Sequence, residues 1–444
     1  MVTPGGVAAI LDIGLRASPK TPGTFHSAYL ATAADRDLYR LTAPDRAAGF
    51  HISTKVQLDL PLKAQTLRVA HVHNMEKAMS HIRIKTLTAA VALCTAPQAF
   101  SGFDFDLGDG HKLSFGGYIK ADARYVDGDL RYQDYWRGNN PGFEDTSHTH
   151  FNVKETRFNT KYTHGDVTAF IEMDFYGGDG NEVATNSTNP RLRHAFVKYK
   201  GWMAGQYWTA FTPLKAFPEA LDFGGPIVGE VFVRQPGIRW TGGGFTIAVE
   251  NPETWGGDSP TGGNSAGGGS NNIDADEDMP DLMATYAFSG DWGEVQAGVL
   301  ARKLEQGGID ETAIAANVGG KINIGKDDIR FQVNVGESGR YVGAGMVNDV
   351  VIDPGNGRKE VEDTTAFTVA YRHLWSDNWR SNIYYGEATT DVLELDRSHW
   401  GVNLIRQLTP ALWVGVEGGQ FSVDDDNGDN GDSTYFQLSF KFGI

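Results

Sequence analysis

Cysteine and long apolar runs are almost missing from this chain. Among 444 residues there is one cysteine, Cys94, so no internal disulfide framework exists. No stretch of about 18 consecutive apolar residues occurs, which excludes a transmembrane helix. A β-barrel escapes that test, because only every second residue of its strands must be apolar. What is abundant is glycine (55) and aromatics (24 Phe, 16 Tyr, 10 Trp), with 40% hydrophobic residues and a net charge of -17. That composition fits a membrane barrel or a large soluble β protein.

The apolar residues alternate. The last ten residues, Tyr435 to Ile444, read YFQLSFKFGI. Phe436, Leu438, Phe440, Phe442 and Ile444 share one face of an extended strand, and Tyr435, Gln437, Ser439 and Lys441 share the other. In water such a strand would invite aggregation. As the closing strand of a bacterial barrel, its apolar face meets lipid. The same period of two recurs from residue 112. Leu113, Phe115, Ile119, Ala121 and Ala123 oppose Ser114, Tyr118, Lys120, Asp122 and Arg124, and similar sets start at Val167, Phe245, Val295, Ile329 and Leu412.

Connections differ in length. Tight ones fall at 242–244, 290–291, 325–327, 376–378 and 409–410, and long ones near 127–150, 177–190, 210–233, 251–280, 338–362 and 423–430. Trp202, Trp240, Trp292, Trp375, Trp379 and Trp400 lie near strand ends, where aromatic girdles sit. The expected fold is all-β: a transmembrane antiparallel β-barrel of about 16 strands, with short periplasmic turns and long extracellular loops.

An export signal is expected inside the chain. Met79-Ser-His-Ile-Arg-Ile-Lys85 is a basic start, Thr86 to Cys94 a short apolar core, and Ala96-Pro-Gln-Ala99 a small-residue cleavage site. We therefore expect a signal peptide at 79–101, a short periplasmic lead-in at 102–111 and the barrel at 112–444. Residues 1–78 are expected to be a non-native or disordered extension upstream of the true start, with translation beginning at Met79 or Met75. Removal of the peptide would take Cys94 with it.

With the apolar face on lipid, the other face lines a lumen. Alternation places Lys120, Arg124, Arg157, Lys161, Arg239, Arg302, Lys321, Arg330 and Arg380 there, along with Asp122, Glu172, Asp174, Asp281, Asp328 and Glu417. Arginine stays charged and grips carboxylates with two donors, so exposed lumen arginines favour anions. The competing reading is that each is paired with a neighbouring acid and merely holds the wall. In Arg191-Leu-Arg193-His-Ala-Phe-Val197 we expect Leu192 and Phe196 on lipid and both arginines inside. That register turns His194 and Lys198 outward, His194 toward a subunit contact. The apolar, proline-bearing stretch 210–233 is expected to fold into the lumen. The acidic stretches 274–278 and 424–426 lack the ligand spacing of an EF-hand loop and read as solvated loops.

Several short motifs carry a resemblance. Gly117-Tyr-Ile-Lys-Ala-Asp122, Glu155-Thr-Arg157, Glu172-Met-Asp-Phe-Tyr-Gly177, Arg191-Leu-Arg-His-Ala195, Gly205-Gln-Tyr-Trp208, Leu221-Asp-Phe-Gly-Gly-Pro226, Arg234-Gln235 and Ile238-Arg239 together resemble the DcaP-like porin family. The match runs from about 113 to 255 and more loosely to the C-terminus. The resemblance implies a trimeric Gram-negative outer-membrane porin for small anionic solutes, dicarboxylates or aromatic acids. It implies that Arg157, Arg193, Arg234 and Arg239 lie near a constriction, that Phe217, Leu221, Asp222 and Phe223 belong to an inward constriction loop, and that Tyr118 and Gln235 line the pore. Two departures stand out. Residues 102–111 leave no room for the coiled coil that often precedes the barrel, so trimer contacts would come from the wall. The last residue is Ile444 instead of phenylalanine, with Phe442 as the nearest aromatic anchor.

The expected partners are small anionic solutes, outer-membrane lipid, lipopolysaccharide and two further copies of the chain, with no nucleic acid, cofactor or metal. Two alternatives stay open. A barrel enzyme of the lipase or protease type would need a nucleophile constellation, and His148, His150, His194, His373 and His399 lie in no such motif. A carbohydrate-selective porin is the other, since Tyr132, Tyr135 and Trp136 could stack on sugars.

Overall fold

A computed structural model describes residues 28–30, 39–41, 102–132, 134–136, 143–178, 185–256, 278–306, 308–343, 348–425 and 430–444. The expected signal peptide and nearly all of the expected N-terminal extension lie outside them. In a separate N-terminal unit, β1 (Ala28–Leu30) pairs antiparallel with β2 (Tyr39–Leu41).

The second unit is a closed antiparallel barrel. Its strands are β3 (Phe103–Gly108), β4 (His111–Leu130), β5 (Phe143–Asn152), β6 (Arg157–His164), β7 (Val167–Asp174), β8 (Arg191–Tyr199), β9 (Trp202–Trp208), β10 (Arg234–Gly242), β11 (Phe245–Glu250), β12 (Asp281–Gly290), β13 (Gly293–Gln306), β14 (Ile309–Ile324) and β15 (Asp327–Gly336). Two short strands, β16 (Val350–Ile352) and β17 (Lys359–Val361), form a separate ribbon. Then come β18 (Thr364–Ser376), β19 (Trp379–Thr390), β20 (Asp396–Gln407), β21 (Leu412–Asp424) and β22 (Asn430–Gly443). β5 and β6 pair with the upper and lower halves of β4 and are one wall strand, broken at 153–156 where Glu155 turns inward to Lys120. β3 likewise continues the lane of β22, pairing with the start of β4 where β22 pairs with the rest, and counted so the wall has 16 strands. The expected lead-in includes β3, which pairs with the start of β4.

The period of two sets the two faces. On β22, Phe436, Phe440 and Phe442 are exposed, while Tyr435, Gln437 and Ser439 are buried. On β14, Ile314, Val318, Ile322 and Ile324 face out and Ala315, Asn317 and Lys321 face in. Such outward side chains match a hydrocarbon surround. Val318→Arg, in the middle of that run, is expected to destabilise the barrel by about 2–4 kcal/mol. Denaturant unfolding in lipid vesicles measures it.

One strand departs from the expected register. The β7–β8 ladder pairs Glu172 with His194 but Met173 with Leu192, so a β-bulge falls at Arg193. The extra residue lets Arg193 and His194 both turn inward, and both are buried. Beyond the bulge Val197 and Tyr199 are exposed outward. Phe196 faces inward against Phe170, with ring centroids 5.4 Å apart, and Lys198 lies over Phe196 and Tyr207. His194, Phe196 and Lys198 are therefore lumen residues, contrary to the uninterrupted alternation. The bulge keeps every charge of this segment off the lipid face.

The long connections are tied down at their rim. Arg302, fully buried, donates to Asp349, which also accepts from the Arg340 N–H. Arg340 and Tyr341 both reach Asp281. Glu362, just before β18, accepts from the Val392 and Leu393 N–H groups. Burial pushes its carboxyl up to about 7. A raised acid favours the folded state while it stays protonated, and that contribution is lost as pH rises toward and past about 7. The protection of the 391–393 amides relative to their intrinsic exchange should therefore fall between pH 5 and pH 8, and Glu362→Gln should flatten that fall.

Candidate functional site: an arginine-lined arc beside an inward segment

After β9 the chain turns into the barrel and stays there until β10. Prolines 213, 218 and 226 and the left-handed Gly224 and Gly225 deny this stretch a strand of its own, so side chains of the wall satisfy its backbone. The Ala210 N–H donates to Glu250, Arg330 donates to the Phe217 carbonyl at 2.6 Å, and Asn403 donates to the Glu219 carbonyl. Lys120 and Gln437 both donate to the Leu221 carbonyl at 2.7 Å. The Leu221 and Asp222 N–H groups donate to Glu417 at 2.7 and 2.8 Å. Thr368 donates to the Gly229 carbonyl at 2.9 Å. Gly229 has to be glycine, because a Cβ there would collide with the Phe367 carbonyl. Residues 209–233 thus lie against inward side chains of β11, β15, β18, β20, β21, β22 and β4.

The arc from β6 to β10 carries a different set. Arg193 donates to Glu172 at 2.8 Å and to Asp174 at 2.7 Å, and Arg191 also holds Asp174. Arg239 donates to the Trp208 carbonyl at 2.6 Å and lies 3.4 Å from Glu250. Arg157 and Arg234 have no carboxylate partner among the described residues. They rest on aromatic faces, Arg157 over Tyr118 at 5.3 Å and Arg234 over Trp208 at 4.2 Å, which orients a guanidinium without neutralising it. His194 lies in electrostatic range of Arg157, Arg193, Arg234 and Arg239 together. Five guanidinium groups (157, 191, 193, 234, 239) face three carboxylates (172, 174, 250), which leaves a surplus of two positive charges.

The inward segment meets the arc at two aromatic contacts. Phe217 packs on Trp208 and Phe232, each at 5.3 Å, and Phe223 packs on Tyr176 at 4.4 Å, with Arg191 over both. Leu221 points away from the arc into a cluster with Ile405 and Trp413. Asp222 is buried against Arg124.

The expected site residues therefore divide. Tyr118, Arg157, Arg193, Arg234 and Arg239 share the arc, and Gln235 sits half-buried opposite Tyr207 in the β9–β10 ladder. Lys120, Arg124 and Arg330 face inward too, but they hold the inward segment. Arg302 holds the rim connection at Asp349. Lys120 and Arg124 are also paired with Glu155 and Asp222. Of the aromatics expected to stack on sugars, Tyr132 and Trp136 are buried, Trp136 stacked on Phe421 at 5.1 Å, and Tyr135 is half-buried near Phe223. Trp208, Phe232 and Glu219 belong to the site and escaped the sequence reading, while Glu417 was expected only as one lumen acid among several. Only Trp208 carried a signal, as the last residue of the Gly205 motif.

A 16-stranded barrel of the outer-membrane porin type, with one connection folded into its lumen, is the class these features define. The chain superposes on the outer membrane channel DcaP of Acinetobacter baumannii with a TM-score of 0.64, at 19% identity, over 78% of this chain and 100% of that one. It is also similar to OmpF of Salmonella typhi, solved in complex with daunomycin, with a TM-score of 0.50, at 16% identity, over 77% of this chain and all of that one. At such identities the likeness is one of fold, and with DcaP it agrees with the motif resemblance. No protein-family model matches the chain, and no curated protein matches its sequence.

Proposed function

We propose that this protein is a bacterial outer-membrane porin that passes small hydrophilic solutes by diffusion and prefers anions, dicarboxylates or aromatic acids among them. The observation that carries the reading is the pair Arg157 and Arg234. Among the described residues they have no carboxylate partner, and they stand on the arc facing the inward segment. Guanidinium groups lining a narrow passage attract carboxylates and repel cations. In this reading Phe217 and Phe223 flank the constriction, Arg193 and Arg239 add to its field, and Tyr118 and Gln235 complete its wall. Export would use the segment 79–101, and assembly would be a homotrimer in lipid and lipopolysaccharide. The role is conduction, with no covalent chemistry. Reversal potentials in planar bilayers under a salt gradient test it. Anion over cation selectivity, with current reduced by added dicarboxylate, is expected, and clear cation selectivity would refute it.

A further inference from the structure

The inward segment has two limbs, 209–213 and 228–233, joined by a bond from the Thr212 hydroxyl to the Val231 carbonyl at 3.1 Å. The wall strands these limbs lie against carry a patch of buried polar side chains. Asn317 on β14 pairs directly with Asn334 on β15, and Gln332 lies two residues from Asn334 on the same inward face. The limbs bracket this patch. Phe211 stands over Gly298, the ladder neighbour of Asn317, and Pro213 over Gly319, the neighbour of Gln332. On the far side, Gly229 is bonded to Thr368, the other neighbour of Gln332, and Val228 packs with Ala366, the other neighbour of Asn334. Glu230 is the next residue along the returning limb.

All four side chains are at most 4% exposed. Among the described residues, both carboxylate oxygens of Glu230, both polar atoms of Asn317 and of Gln332, and Oδ1 of Asn334 lack hydrogen-bond partners. The cations on the neighbouring wall are engaged elsewhere, Arg330 and Arg372 with Asp328, and Arg340 with Asp281. A buried carboxylate without a partner does not stay charged alone. Burial pushes the Glu230 carboxyl well above the ordinary range.

We propose that these four buried side chains bind one hard cation, held by the Glu230 carboxylate and the side-chain oxygens of Asn317, Gln332 and Asn334, and that the ion pins the returning limb to β14 and β15. An all-oxygen donor set with one carboxylate suits sodium or calcium and offers nothing to a thiophilic metal. The site is independent of the anion preference proposed above.

The full-length barrel, stripped with chelator and dialysed into choline chloride, tests this. Thermal unfolding is followed after adding sodium chloride or calcium chloride at matched ionic strength, and native mass spectrometry counts bound ions. The natural protein is expected to gain several degrees with one of the two salts and to carry one ion. Glu230→Gln, the isostere of the protonated acid, should gain less than a third as much and lose that ion. Equal gains in both proteins would assign the ion to the acidic loops. No gain in the natural protein would mean that Glu230 is simply protonated. Either result overturns the proposal. If Glu230→Gln fails to fold, Gln332→Ala takes its place in the same comparison.

Discussion

Replacing Glu417 with alanine is expected to widen the channel. This carboxylate accepts from the Leu221 and Asp222 N–H groups, from Asn403 at 2.9 Å, and from the Tyr384 and Tyr435 hydroxyls at 2.9 and 3.2 Å. Its removal leaves several buried donors unpaired, at about 1–3 kcal/mol each. The tip of the inward segment would then leave the wall at β21, while the barrel ladder, built from backbone bonds, stays. We expect single-channel conductance to rise about twofold or more, with weaker discrimination among solutes. Glu417→Gln keeps one acceptor and should fall between. A conductance equal to that of the natural protein in Glu417→Ala would remove the segment from the current path.

The second large effect concerns Arg234. Two unit charges about 6 Å apart in a water-like medium interact by about 0.7 kcal/mol. Reversal by Arg234→Glu raises the anion by about 1.4 kcal/mol and lowers the cation by as much, so the anion-to-cation permeability ratio should fall about a hundredfold. Arg157→Glu should act alike, and the double variant should become cation-selective. Arg193→Glu is a less direct test, because it strands Glu172 and Asp174, which Arg193 holds, and so perturbs the wall as well as the field. An unchanged reversal potential in Arg234→Glu would place that side chain outside the ion path.

Strand parity was legible in the sequence because it is local. Phe436, Phe440 and Phe442 are exposed and Gln437 and Ser439 are buried, as their spacing required. Partners were not legible. Lys120 and Arg124 read as lumen cations, but Glu155 and Asp222, which neutralise them, lie 35 and 98 residues away. The same holds for Arg302 and Asp349, 47 residues apart. Glu417 read as one lumen acid among several, because the two N–H groups that define it belong to a segment about two hundred residues earlier, 196 and 195 positions away. The bulge at Arg193 failed for another reason. One inserted residue reverses every later side chain of a strand, and nothing in Arg191 to Val197 marks where the insertion falls.

The place where the Leu221 carbonyl docks has a consequence for assembly. It accepts from Lys120 on the first long strand and from Gln437 on the last, and the Ile444 N–H reaches back to the Gly117 carbonyl. These two strands join only when the C-terminal residues arrive, across more than three hundred positions of chain. The tip of 209–233 therefore staples the closing seam from within, and it must already be inside when the cylinder shuts. Folding would then be coupled to gating: a variant that frees the tip should also close its barrel more slowly, because such long-range pairings form late.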